Sequence, residues 1–101
     1  MEKYIYYGML LDIYKKLLND NREDIFKLYY EENLTLQEIA DNMQVSKSYI
    51  GKVIKETEKK LDDLENCFHL YENKKMLENA LNIDDISEIK KIIRTVLDNE
   101  R

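Results

Sequence analysis

The chain contains no proline and no tryptophan, and its 101 residues include only two glycines, one cysteine and one histidine. Each scarcity excludes something. With no proline, and only Gly8 and Gly51 to supply permissive backbone, the punctuation of many short strands and tight turns is missing, which points to an all-α fold. A lone cysteine, Cys67, cannot close a disulfide within the chain or provide the paired thiols of a zinc site, and it reads as a small buried apolar residue. His69, two positions on, lacks the partner ligands that zinc requires and reads as another packed side chain. Neither a metal nor a cofactor is therefore expected. No stretch approaches the roughly 18 apolar residues of a membrane span. Met1-Glu2-Lys3 opens without a signal-peptide pattern, so the expectation is a cytoplasmic protein with no membrane insertion. There is no phosphate-cradling glycine loop and no nucleophile paired with a base, and the carboxylate pairs Asp62-Asp63 and Asp84-Asp85 read as solvated faces and helix caps. An enzyme is accordingly not expected.

What is present is a mixture of 44% hydrophobic and 37% charged residues, which suits amphipathic helices in water rather than a disordered tail. The length predicts a single helical domain over residues 1–101 with a thin core. From Tyr4 to Leu18, Ile5, Met9, Ile13 and Leu17 recur at helical spacing, flanked by Leu10, Tyr14 and Leu18, which predicts a first helix. Asn19-Asp20-Asn21 can cap a second helix from about Arg22 to Glu32-Asn33, with Ile25, Leu28 and Tyr29 on one face. The tyrosines Tyr4, Tyr6, Tyr7, Tyr29 and Tyr30 could form a binding surface, although packing is the simpler role for them.

The densest local signals lie between residues 35 and 60. Thr35 followed by Glu38 is a capping box, with Leu34 and Ile39 at the staple positions. A short helix from Leu36 to Met43, a tight turn at Gln44-Val45 and a new helix capped by Ser46 make up a helix-turn-helix. Ile39, Ala40, Ile50, Val53 and Ile54 are expected to face inward, with Val45 plugging the turn. The outward residues are then Ser46, Lys47, Ser48, Tyr49, Lys52 and Lys55, positioned as a recognition helix would place them against phosphates and base edges. Charge follows the same division. Residues 46–60 hold five lysines against Glu56 and Glu58, net +3, whereas residues 1–45 and 61–101 are each net −4 in a chain of net −5. Overall acidity predicts weak nucleic-acid binding unless dimerisation doubles the contacts.

Beyond the motif, residues 61–101 predict a long helical continuation followed by a final helix. Ile50, Ile54, Thr57, Leu61, Leu64, Phe68 and Tyr71 form a coiled-coil-like seam, and its register fails at Lys75, where a break is expected. Asp85 and Glu88 repeat the capping-box spacing before a final stripe of Ile86, Ile89, Ile93 and Val96. An exposed seam needs a cover, so Leu61, Leu64, Phe68, Tyr71, Ile89, Ile93 and Val96 are candidates for an oligomer or partner interface.

The run LTLQEIADNMQVSKSYIGKVIKETEKKL resembles the helix-turn-helix of region 4 of sigma-70-type factors. Together with the upstream LLDIYKKLLNDNREDIFKLYYEENLTL and the downstream ETEKKLDDLE, the chain resembles the YlxM-like family of small bacterial proteins. That resemblance implies a helical, dimeric protein that accompanies or regulates the signal recognition particle, with nucleic acid as a further partner and no active site. In this chain Gly51 stands where members carry an aromatic residue, and Glu56 where they carry a basic one.

Overall fold

The computed structural model describes residues 3–18 and 20–99, leaving aside the side chains of Asp20 and Asn21. Six α-helices and one short 3₁₀ turn account for nearly all of that length, and no strand occurs among the described residues. They are α1 (Lys3–Tyr14), running into a 3₁₀ turn (Lys15–Leu17), α2 (Asp20–Tyr30), α3 (Leu36–Met43), α4 (Lys47–Phe68), α5 (Leu70–Ala80) and α6 (Ile86–Asp98). The chain forms two compact units, residues 1–63 and 64–101.

The first unit has a core of apolar side chains from four helices. Leu10, Leu11 and Tyr14 of α1, Ile25, Phe26 and Tyr30 of α2, Ile39 and Ala40 of α3, and Ile50, Val53, Ile54 and Leu61 of α4 are buried. Phe26 and Tyr30 lie with their rings 4.3 Å apart, and Tyr7 meets Phe26 edge-on at 6.2 Å, a geometry that aromatic quadrupoles favour. Tyr7 Oη donates to Asp62 Oδ2 at 2.8 Å, tying α1 to α4.

This core corrects the expected phase of α1. Ile5, Met9 and Leu17 are exposed and Ile13 only partly covered, while Leu10, Leu11, Tyr14 and Leu18 turn inward. The helix is apolar around most of its circumference, so its spacing satisfies several stripes equally, and packing against α2 selects one of them. The cap read at Asn19 lies outside the described residues, and α2 begins at Asp20 rather than Arg22. At its other end Asn33 takes a left-handed conformation, φ 59°, and the Leu34 N–H returns to the Leu28 carbonyl.

The second unit is thin. Ala80 and Val96 are its most buried apolar residues, accompanied by the polar Asn73, whose Oδ1 accepts from Asn99 Nδ2 at 2.9 Å. The break expected at Lys75 falls six residues earlier. Phe68 ends α4, His69 adopts a left-handed conformation with φ 56°, and α5 starts at Leu70. Glu65 supplies the reason: its buried carboxylate accepts the Tyr71 and Glu72 amide N–H groups at 3.0 and 2.9 Å, capping the new helix from the preceding turn. His69 is therefore a hinge residue paired with Glu72 at 3.2 Å, not a packed core side chain, and Cys67 is exposed rather than buried. Asp85 caps α6 by accepting from the Ser87 and Glu88 N–H groups.

Candidate nucleic-acid interface

The turn between α3 and α4 is built almost entirely by backbone. Thr35 Oγ1 accepts from the Glu38 N–H while Glu38 Oε1 accepts from the Thr35 N–H, the reciprocal pair read from the sequence. At the far end of α3 Gln44 turns left-handed at φ 57°, and the Val45 N–H reaches the Ala40 carbonyl while that of Gln44 reaches Asp41. This is the paired hydrogen-bond pattern of a Schellman stop. Because those bonds close the turn, Val45 is not needed as a plug and is exposed to 41%, contrary to expectation. Ser46 then caps α4, its Oγ accepting the Tyr49 N–H at 3.0 Å.

α4 leaves this corner with two unlike faces. Ile50, Val53 and Ile54 are sunk into the core at 5% exposure or less, and Thr57 and Leu61 continue that face. Ser46, Lys47, Ser48, Tyr49, Lys52 and Lys55 are all exposed. Lys47, Lys52 and Lys55 have no carboxylate partner among the described residues, in contrast to Lys3, paired with Glu58 at 3.3 Å, and Lys59, paired with Asp63 at 2.9 Å. Glu56 is the acidic residue beside this row, and Arg22 of α2 approaches it at 3.6 Å, offsetting part of its charge. Three uncommitted ammonium groups on the first turns of a braced helix can contact successive phosphates, and the two serine hydroxyls can donate to phosphate oxygens.

Gly51 lies among these lysines. Its backbone is ordinary helix, with no positive φ, and a Cβ placed there would meet Leu36 Cδ1 at 3.8 Å, an ordinary contact. Neither strain nor crowding calls for glycine, which costs about 1 kcal/mol in a helix interior relative to alanine. Gly51 lies in an open notch of about 590 Å³ lined also by Leu36, Lys47, Ser48, Lys52, Lys55 and the acidic Glu56. A second depression of about 500 Å³ adjoins it, lined by Tyr4, Tyr29, Asn33, Gln37 and the same Leu36 and Lys47. The sequence offered Tyr4 and Tyr29 as part of a possible binding surface, but it did not place them beside Lys47, because they are remote in the chain from the lysines.

The candidate interface residues separate. Leu61 is wholly buried in the first unit, so its side chain is not available to another chain, and Val96, 9% exposed, lies at the base of the second unit. Leu64 and Tyr71 are half-buried and Phe68 is more than half exposed. Ile89, Ile93 and Val96 join Leu70, Leu77 and Leu81 along an open groove of about 770 Å³ within the second unit. The α5 half of that groove was missed, because the heptad register was carried straight through His69. Among the described residues no cluster of potential metal ligands occurs, and no helix is long and apolar enough to cross a membrane.

Comparison with known proteins agrees with this geometry. Residues 1–99 match the UPF0122 family of YlxM / p13-like helix-turn-helix proteins. A UPF0122 protein of Mycoplasma capricolum is 36% identical over 89 residues, covering 88% of this chain and 79% of the relative. One from Clostridium kluyveri is 36% identical over 78 residues, covering 77% and 70%. One from Limosilactobacillus reuteri is 38% identical over 71 residues, covering 70% and 63%. With the family model matched over residues 1–99 and relatives 36 to 38% identical, the chain belongs to the UPF0122 family of YlxM / p13-like helix-turn-helix proteins.

Proposed function

We propose that this protein is a non-catalytic nucleic-acid-binding module in which the first turns of α4 grip a phosphate backbone. The observation that carries the reading is the pairing of opposites on one helix. Ile50, Val53 and Ile54 anchor it in the core, while Lys47, Lys52 and Lys55 point outward without carboxylate partners. Ser46, Ser48 and Tyr49 add neutral donors beside them. The net charge of −5 limits binding to what this local patch provides, so retention should be modest and strongly salt-sensitive. Electrophoretic retention of duplex DNA and of structured RNA at low salt tests the reading. Lys47, Lys52 and Lys55 changed together to alanine should abolish it, and unaltered retention would remove its basis.

A second reading concerns partners and is supported by the second unit. Phe68, Leu77, Leu81, Ile93 and Leu97 are exposed in a unit whose buried apolar residues, among those described, are Ala80 and Val96. Homodimerisation through this unit would cover that surface and double the phosphate contacts. The family resemblance adds a cellular setting, accessory or regulatory work beside the signal recognition particle, in which both a protein and an RNA surface are at hand. Light scattering should find a dimer at high micromolar concentration that the double substitution Leu64→Glu, Phe68→Glu dissociates. A monomer indifferent to those changes would count against the homodimer.

A further inference from the structure

We propose that the face from Tyr4 to Gly51 receives unpaired nucleotides, with a base stacked against the Tyr4 ring and its phosphate on Lys47. This rests on the nucleic-acid reading above and names the kind of strand that fits. The two depressions beside the recognition helix share Leu36 and Lys47, so a chain lying across them passes continuously from the aromatic cleft to the glycine notch. The cleft combines what a nucleotide presents. Tyr4 is 43% exposed, and its ring packs against Tyr29, with centroids 5.6 Å and Oη atoms 3.5 Å apart, and against Tyr30 at 5.3 Å, which hold it in place at the cleft. Asn33 and Gln37 line the cleft, where the Asn33 amide and the Gln37 carbonyl oxygen suit base edges, the Gln37 Nε2 donating to Asp41 Oδ1 at 2.8 Å, and Lys47 supplies the cation.

A paired base has both faces covered by its neighbours in the stack and its pairing edge occupied, so a ring wall with amides beside it can engage only a base that has left the duplex. Gly51 fits the same occupant. Its absent side chain takes away a reader of the major groove and lets a backbone approach α4 closely, at a position where nothing in the packing calls for glycine.

The test is fluorescence anisotropy of the full chain with a short single strand of mixed sequence and a duplex of equal length, each made in RNA and in DNA, at low salt. The wild type should hold the single strand more tightly than the duplex, and the RNA and DNA arms identify the preferred sugar. Tyr4→Ala should weaken single-strand binding roughly tenfold while leaving the duplex unchanged, and Tyr4→Phe, which keeps the ring, should bind as the wild type does. Equal affinities of the wild type for both forms, or Tyr4→Ala binding the single strand unimpaired, would overturn the proposal while leaving the lysine patch intact as a duplex-binding surface. Failure of every probe to bind would overturn both.

Discussion

Tyr7 is a residue whose protonation the fold controls. Burial, then its hydrogen bond to Asp62, pushes the phenol well above its ordinary value near 10, and the Tyr29 phenol is raised to about 12, chiefly by its hydrogen bond with Tyr4. A group whose folded pKa is raised contributes stability that is complete below its unfolded value and is lost as the pH climbs past it. The wild type should therefore hold a constant contribution from these phenols up to about pH 10 and lose stability above it. Tyr7→Phe should lower stability at neutral pH by about 1 kcal/mol, the worth of one hydrogen bond, and should show a shallower decline above pH 10. Denaturant melts of both forms across that range check it, and parallel profiles would show that the phenol carries no linkage. None of this was legible in the sequence, since Tyr7 and Asp62 are 55 positions apart. Local chemistry was legible: Thr35, Glu38 and Ser46 cap as their spacing indicates, because a cap depends on neighbours within one turn. Val45 and Cys67 were misplaced for the complementary reason, that a small apolar side chain carries no local signal of whether its position in a turn or on a helix is covered.

Helices were legible as elements and less so in their phase. The periodicity that marks α1 fits several stripes on a helix that is apolar nearly all round, so only the tertiary contact with α2 decides which one is buried. The boundary between α4 and α5 was hidden differently. A heptad pattern from Ile50 to Tyr71 runs without interruption through His69, and the break depends on the Glu65 carboxylate reaching two amides beyond the hinge. A left-handed histidine is unfavourable by itself, so that carboxylate must help to hold it. Glu65→Ala should cost about 1 to 2 kcal/mol through the lost cap, and should speed amide hydrogen exchange selectively in the first turn of α5. Exchange that accelerates equally in α3 would mean that Glu65 supports the chain generally rather than this junction.

At the scale of the whole molecule, an acidic chain keeps its one basic segment on the helix that the motif exposes. Net charge made nucleic-acid binding look weak from composition alone, and the structure adds that Lys47, Lys52 and Lys55 are not consumed by internal ion pairs. Position relative to the core, more than total charge, gives the patch its use: the same lysines on the inward face would be neutralised or absent. The salt dependence of binding measures how many of them meet phosphate. Each phosphate neutralised on a duplex contributes a slope of about −0.9 in log affinity against log salt. Wild-type protein titrated with duplex DNA should give a slope near −3 for each bound protomer, and the triple alanine variant at Lys47, Lys52 and Lys55 one close to zero. Equal slopes for the two proteins would contradict the account, because the phosphates would then be held somewhere other than the outward face of α4.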